Sequence, residues 1–512
     1  MLRLPAKAAV AALVACAALA AAAASAQAPP GEAQIGEGPG GRTALTRWTL
    51  ALDPRNRGLA RGWQRGGFAG RGVNVPNDVD PIHVKGRAGQ RNYAGSVAWY
   101  RTSVTAPVAG TYAFTFASAN FEATAYLDGR AIVAHRGSYL PFEGRASLSA
   151  GAHTLVVRID WRNPAAQSRQ GFHRTWFNWG GLNGQVTMRP IGESELSGAS
   201  IQTTLSDETR DIRAEALATV TLGVRVRNNG PTRAIAPQGA LIGGPAGAQS
   251  IPIQFPAQTV PQGQTVAMQT SVKVPGPALW SPGHPSLYTL SLSVSQPGSS
   301  APESSYSARV GLRRLTWHEG RLLLNGRQLR LHGASIQEDA KGHGDALAPA
   351  DQAKLVSELQ AIGANTVRSQ HPLDPALLER LDAAGILVWQ GIGPVEGASN
   401  WYSTTPGLLA EAEQQARTAA LAAQLHPSII AWNLVDEVAR NGRNGAEVSY
   451  VQTLTRWLHE RDPTRMVAVD VWGDHPPVHA GRLYRGVDAI AETDYTGWYD
   501  SPQFSDAQQR AA

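Results

Sequence analysis

Two adjacent carboxylates, Asp436 and Glu437, follow an apolar run in the stretch HPSIIAWNLVDEVAR. The run over residues 428–434 predicts a buried strand, because short continuous apolar segments rich in β-branched residues are typical of strands covered on both faces. Burying a carboxylate is costly unless it is paired or hydrogen-bonded. Acids at such a strand end could act as a general acid or base, and the simpler alternative is a surface acid that caps the next helix.

The residues around this pair alternate between strand and helix patterns from residue 313 to residue 512. One helix is predicted from residue 351, with Leu355, Leu359 and Ile362 on one face. The next has Asp374 as its cap and Gly385 after its end. The alternation predicts a parallel sheet and an incomplete (β/α)8 TIM barrel, with about six of eight strands. Active sites of such barrels lie at the C-terminal strand ends, and the carboxylate pair ends the fourth predicted strand. The predicted strands are LRLHGASI, NTVRS, ILVWQGI, residues 428–434, MVAVDV and VDAIAET.

Two β domains are predicted to precede the barrel. Residues 43–193 contain many short alternating strands, such as TYAFTF, and an Asp128-Gly129 pair that favours a tight hairpin turn. This pattern predicts a jelly-roll sandwich. Residues 194–312 contain TVTLGVRVRN, and their size and pattern suit an immunoglobulin-like sandwich. The predicted fold class is therefore multidomain β plus α/β.

The N-terminal residues predict a targeting segment rather than part of the fold. A short basic region, an alanine-rich apolar run and the small residues ASA before Gln27 form a signal peptide over residues 1–26, followed by a Pro/Gly-rich linker over residues 27–42. A secreted or periplasmic protein is expected. The alternative is a lipoprotein, because LVAC ends at Cys16, the single cysteine of the chain, and lipidation there would place the protein at a membrane.

Composition argues against several other classes of function. The formal net charge is +6 without a cluster of Lys or Arg, which does not favour nucleic-acid binding. The Gly-rich stretch RGGFAGRG lacks the strand–helix setting of a phosphate-binding loop. His332, His343 and His371 do not have a compact metal-ligand spacing. We therefore predict no metal site and no cofactor.

Several motifs resemble glycoside hydrolase family 2, which includes β-galactosidases, β-glucuronidases and β-mannosidases. VAWYRTSV, YLDGRAIVAHRGSYLPFEG and WFNWGGLNGQVTM resemble its N-terminal jelly roll, and LWSPGHPSLYTL resembles the end of its immunoglobulin-like domain. LLLNGRQLRLHGASIQED, GANTVRSQHP and HPSIIAWNLVDE resemble the opening of its barrel. These motifs occur in the family's order across all three predicted domains.

The resemblance implies a retaining exo-β-glycosidase that acts on a β-glycoside or oligosaccharide. In this family one carboxylate is the acid/base and a second, about 5–5.5 Å away, attacks the anomeric carbon. The resemblance assigns the acid/base role to Glu437 and catalytic roles to Arg368 and Tyr495. It further implies sugar contacts for four other residues, namely Asp436, His371, Trp498 and Tyr499.

Two departures from the family pattern qualify this assignment. The family has Asn where this chain has Asp436, and an ionised Asp can only accept a hydrogen bond and adds a negative charge beside Glu437. No residue matches the motif of the nucleophile, so we expect a C-terminally truncated chain with the nucleophile missing. The alternative function is a non-catalytic carbohydrate-binding protein or an inactive fragment, and the sugar and the oligomeric state stay open. Four carboxylates near strand ends are interpreted as loop or cap residues, namely Asp470, Asp474, Glu492 and Asp494.

Overall fold

The chain forms two β-sandwiches followed by a curled parallel sheet with helices, as predicted from its sequence. The predicted signal peptide lies outside the described residues, but residues 36 and 37 at the end of the predicted linker bond to the backbone of Leu196 and Ser305 in the second sandwich. The described helices include none that is both long and apolar enough to cross a membrane. The computed structural model describes residues 36–169, 176–205, 217–243, 249–296, 298–299, 301–318, 320–393, 407–439, 445–472 and 481–494.

The first sandwich packs a six-stranded sheet on a four-stranded sheet. The sheet orders are β3-β2-β5-β10-β7-β8 and β1-β12-β6-β9, with strands numbered in chain order. Asp128 and Gly129 form the predicted two-residue turn, and both have positive φ angles, 48° and 84°. The strands are β1 Thr43–Ala44, β2 Arg47–Leu52, β3 Arg71–Asn74, β4 Asn77–Asp78, β5 Val97–Ala106, β6 Gly110–Phe116, β7 Glu122–Leu127, β8 Arg130–Arg136, β9 Phe142–Leu148, β10 Gly151–Asp160, β11 Gly181–Leu182 and β12 Val186–Pro190, and the helices are α1 Gly86–Ala94 and α2 Pro164–Arg169.

The second sandwich has the alternation that its sequence predicts. Along β14 every second residue is buried, so one face forms the core with the other sheet. The sheet orders are β13-β14-β19 and β17-β16-β22-β23. The strands are β13 Ser194–Leu205, β14 Leu217–Asn228, β15 Arg233–Ile235, β16 Gln238–Gly243, β17 Gln249–Gln254, β18 Gln258–Val260, β19 Thr265–Pro275, β20 Trp280–Ser281, β21 His284–Pro285, β22 Tyr288–Ser295 and β23 Pro302–Val310.

The remaining strands form the parallel sheet that carries the carboxylate pair. Its order is β27-β28-β29-β30-β32, with β31 and β33 both paired to β32. A small antiparallel sheet of three strands, β24, β25 and β26, contributes Trp317 and Leu322 to an apolar cluster with β30 and β32. The strands are β24 Leu315–His318, β25 Arg321–Leu324, β26 Arg327–Gln328, β27 Gly333–Ile336, β28 Thr366–Ser369, β29 Leu387–Gly391, β30 Ile429–Asn433, β31 Val438–Ala439, β32 Met466–Trp472 and β33 Ala489–Thr493.

Helices connect the strands of this sheet and cover it. The predicted signals of α4 are present, since Asp374 accepts a hydrogen bond from the Ala376 N–H and Gly385 has a φ of 69°. The predicted apolar face of α3 is wrong at Ile362, which follows the helix and is 67% exposed, while Leu359 is buried as expected. The helices are α3 Pro349–Ala361, α4 Pro375–Ala384, α5 Leu408–Ala423 and α6 Gly445–Arg461.

Candidate active site

An irregularity between β30 and β32 places the carboxylate pair. Asn433 pairs with Ala468, and Val438 pairs with Val471. Between these two pairings the chain after β30 advances by five residues, whereas β32 advances by three. The chain between these two pairings is therefore forced out of the regular ladder, as in a β-bulge. Glu437 has a φ of 52° there, a left-handed conformation that is uncommon for a residue with a side chain.

Arg368, at the end of β28, binds two buried carboxylates. Its Nε donates to Asp470 Oδ2 at 2.8 Å, its Nη2 donates to the same oxygen at 2.5 Å, and its Nη2 also donates to Asp436 Oδ1. Both aspartates are only 1% exposed. A buried carboxylate needs charge pairing and hydrogen bonds to remain ionised, and one guanidinium provides both to the two acids.

Three neutral side chains complete this cluster. Gln370 Nε2 donates to Asp436 Oδ2 at 3.0 Å, and Gln337 Nε2 donates to Gln370 Oε1 at 2.8 Å. Trp389 Nε1 donates to Asp470 Oδ1 at 3.3 Å. These side chains come from three neighbouring strands or their C-terminal ends, so the cluster spans the end of the sheet where parallel barrels carry their sites. We name the set of six residues the arginine cluster: Gln337, Arg368, Gln370, Trp389, Asp436 and Asp470.

The electrostatics of the arginine cluster favour partial protonation of Asp436 near neutral pH. Burial raises the pKa of Asp436 to about 7, Asp470 and Glu437 act in the same direction, and Arg368 opposes them. Burial also raises the pKa of Asp470, again against the effect of Arg368. Although burial acts against it, the two carboxylates hold the pKa of Arg368 above its usual value. The half-buried Glu437 therefore lies next to two carboxylates, Asp436 and Asp470, that share one cation, Arg368.

The predicted site residues fall into three groups. Arg368, Asp436 and Glu437 are brought together at the sheet end. His371 is 0% exposed, and its ring stacks on Tyr139 of the first sandwich at 4.1 Å between centroids. Burial lowers the pKa of His371 to about 4, so its imidazole is neutral at pH 7, and its contact with sugar stays a prediction. The predicted residues Tyr495, Trp498 and Tyr499 lie outside the described residues, as does Asp474.

The interpretation of Asp470 as a loop or cap residue is wrong. Asp470 lies inside β32 and points to Arg368. The same interpretation is wrong for Glu492, which is exposed but lies inside β33 and pairs with Val471, whereas Asp494 follows the strand and is exposed. Gln337, Gln370 and Trp389 were not singled out from the sequence. The available signal was their position, because each lies within or just after a strand of the parallel sheet.

A second group of acids lies where the first sandwich meets the barrel. Asp345, between β27 and α3, accepts a hydrogen bond from Asn183 Nδ2 at 2.5 Å, and Glu338 accepts two from the Asp374 N–H. Glu338, Asp345 and Asp374 line a cavity of about 50 Å³ at this interface. Among the described residues no group of three or more His, Cys, Asp or Glu could hold a metal ion.

Comparison with known proteins relates the chain to one family. Residues 195–313 match the family described as "Glycosyl hydrolases family 2", and residues 315–510 match "Glycosyl hydrolases family 2, TIM barrel domain". A β-glucuronidase of Paenibacillus borealis is 24% identical over 492 residues, which are 89% of this chain and 76% of that protein. A protein of Formosa agariphila is 26% identical over 430 residues, 80% of this chain and 48% of its own length. The chain thus spans about half the length of that relative.

Solved structures support the same fold. The β-glucuronidase of Bacteroides uniformis has a TM-score of 0.74 and 22% identity, and the match covers 90% of this chain and 56% of that one. A family 2 β-galacturonidase of Eisenbergiella tayi has a TM-score of 0.71 and 20% identity, with 91% of this chain and 76% of that one covered. At this identity the likeness concerns the fold, and it confirms the predicted fold class.

Proposed function

Since the chain belongs to glycoside hydrolase family 2, we propose that Glu437 is the acid/base residue of a retaining exo-β-glycosidase that acts on β-glucuronides or β-galacturonides. The choice of a uronide follows the relatives, which are named as β-glucuronidases and, among solved structures, as a β-galacturonidase. The linkage would be cleaved at the non-reducing end, as in the related exo-enzymes that the sequence resembles.

The observation that carries the proposal is the setting of Glu437. It is half-buried on the irregular segment after β30, next to Asp436, at the end of the sheet where the substrate of such a barrel binds. A partly buried carboxyl beside other negative charges favours its protonated form, which a general acid needs before it can protonate a leaving group. The arginine cluster keeps these charges in place.

The chemistry requires Glu437 to move one proton in each direction. As the sugar–oxygen bond breaks, Glu437 gives its proton to the departing oxygen while a second carboxylate bonds to the anomeric carbon. Water then attacks that carbon and gives a proton back to Glu437, while the bond between the carbon and the second carboxylate breaks. The sugar is released with retained configuration. We do not assign the attacking role to Asp436 or Asp470, because both are buried and bound to Arg368.

We also propose that the protein is exported, because of the leader over residues 1–26. Secretion or release to the periplasm would leave Gln27 as the first residue, and the lipoprotein alternative would leave lipidated Cys16. Mass spectrometry of the N-terminal peptide distinguishes these two products.

The function is tested on the purified chain with phenyl β-D-glucuronide, phenyl β-D-galacturonide and phenyl β-D-galactoside. Each assay is run with and without sodium azide, which can bond to the anomeric carbon and form the α-glycosyl azide if the attacking carboxylate is absent. We expect uronide cleavage in at least one of the two conditions. Glu437→Gln should reduce it by about 10²–10⁴-fold, because phenol is a poor leaving group without protonation.

The matched control is Glu358→Gln, which alters an exposed glutamate on the outer helix α3 and should leave cleavage unchanged. Equal activity of wild type and Glu437→Gln would contradict the assignment of the acid/base. A folded chain that binds glucuronate but cleaves none of the glycosides in either condition would favour the carbohydrate-binding alternative.

A further inference from the structure

Asp470 contacts the segment that carries Glu437 in two separate ways. Its backbone N–H donates to the carbonyl of Val435 at 3.2 Å, one residue before Asp436. Its side chain accepts two hydrogen bonds from Arg368, which in turn donates to Asp436. The Leu434 N–H also donates to the Ala468 carbonyl at 2.9 Å, so β32 holds the segment between the regular pairings of β30 and β31 through two main-chain bonds and one side-chain relay.

We propose that Asp470 is a positioning residue of the active site, which fixes Arg368 and through it the orientation of Asp436 and Glu437. This inference rests on the proposed function of Glu437. It extends that function by a residue that no motif in the sequence assigns.

The geometry explains why Arg368 cannot position Asp436 alone. Two different nitrogens of the guanidinium, Nε and Nη2, bond to Asp470, and only Nη2 reaches Asp436. Contact through two nitrogens fixes the plane of a guanidinium, whereas contact through one leaves it free to rotate. Without Asp470, Arg368 would keep its charge near Asp436 but lose the bonds that hold its plane.

Trp389 in turn restrains Asp470. The indole Nε1 donates to Oδ1, the carboxylate oxygen that Arg368 does not use, so both oxygens of Asp470 have donors. At 1% exposure, Asp470 is also shielded from a sugar in the cleft. This separates a positioning role from that of the attacking carboxylate.

The test compares Asp470→Asn with wild type in steady-state cleavage of phenyl β-D-glucuronide across pH, with azide where the wild type needs it. We expect kcat to fall by on the order of 10²-fold with KM little changed, because misplacing a catalytic group affects the reaction more than binding. At least one limb of the pH–rate profile should move to lower pH, since the variant removes a negative charge that disfavours ionisation of neighbouring acids.

Asp462→Asn is the matched control. Asp462 is also a buried aspartate bound to an arginine, Arg465, and to a tryptophan Nε1, that of Trp432. It lies outside the arginine cluster, so its variant should lower stability without moving the pH–rate profile. A graded variant, Trp389→Phe, removes only the bond to Oδ1 and should lower kcat less than Asp470→Asn does.

Hydrogen–deuterium exchange of the substrate-free chain separates this proposal from the proposed function. Asp470→Asn should accelerate exchange in residues 434–439, and Asp462→Asn should not. If the exchange responds but neither wild type nor variant cleaves any glycoside, the proposed function fails and the positioning contact stands. If residues 434–439 exchange at the wild-type rate and the pH–rate profile does not move, the positioning role of Asp470 is refuted.

Discussion

Asp78→Asn should flatten the dependence of stability on pH at the interface of the first sandwich and the barrel. Asp78 ends the short strand β4, is 4% exposed, and accepts a hydrogen bond from the Asp80 N–H. Gly344 of the barrel packs so closely on it that a Cβ there would lie 2.2 Å from Asp78 Oδ2. Asp345 follows directly and bonds to Asn183, so acids from two domains are adjacent.

The magnitude follows from the protonation of Asp78. Burial raises its pKa to about 8, the hydrogen bond from the Asp80 N–H acts against this rise, and the charge of the Asp80 side chain adds a smaller increase. In the unfolded chain the pKa is about 3.9. The pKa of Asp78 is higher in the folded protein than in the unfolded chain. Its contribution to the free energy of unfolding is therefore complete below pH 4 and decreases as the pH rises to 8. The slope is about 1.4 kcal/mol per pH unit, with an upper limit of about 6 kcal/mol over the whole interval.

The assay measures the free energy of unfolding by urea titration at pH 5, 6, 7 and 8. Asparagine has nearly the same shape as aspartate but does not titrate. The slope of the unfolding free energy against pH should therefore be less negative for Asp78→Asn than for wild type by about 1.4 kcal/mol per pH unit, which corresponds to one proton. The control is Asp160→Asn in the same sandwich. Although burial acts against it, Arg162 and Arg158 hold the pKa of Asp160 below its usual value, so its titration lies below this pH range.

Equal slopes for wild type and Asp78→Asn between pH 5 and 8 would refute this reasoning. They would mean that Asp78 is ionised in the folded protein, with its charge compensated at the interface. A slope that changes equally in Asp160→Asn would show instead that the assay reports the net charge of the sandwich.

Two further predictions concern stability, both measured by urea unfolding at pH 7. Arg465→Leu should cost about 3–5 kcal/mol, because Arg465 bonds to buried Asp462 and to three backbone carbonyls, and a loss under about 1 kcal/mol would contradict this. Gly333→Ala should cost about 1–3 kcal/mol, because its Cβ would lie 1.7 Å from the Thr366 carbonyl oxygen of the neighbouring strand. Gly72→Ala, where the added Cβ meets no atom within 4 Å, is the control and should have little effect.

Local signals in the sequence predicted the elements of the fold well. The cap Asp374, the stop Gly385 and the Asp128-Gly129 turn each act within a few residues, so their effect can be inferred from the sequence alone. Ile362 shows the limit of periodicity. It continues the apolar pattern of α3, but the helix ends at Ala361 and leaves this side chain in solvent.

The arginine cluster could not be predicted in the same way, because its contacts are tertiary. Arg368 and Asp470 are separated by 102 residues, and Trp389 and Asp470 by 81. The sequence of β32 alone does not show whether Asp470 lies inside the strand or at its end. Only the parallel register, which sets Arg368 beside Trp389 and curls the sheet towards β32, brings the two charges together.

The same contacts give a physical reason why an aspartate is tolerated at position 436. A neutral amide there would leave Arg368 with one carboxylate, whereas Asp436 gives the buried guanidinium a second. The excess negative charge that results is reduced by protonation, since burial raises the pKa of both aspartates. Asp436 and Asp470 are therefore best understood as a pair. Changing either one alters the charge next to Glu437, and the double variant should differ from the sum of the single variants because both acids act through Arg368.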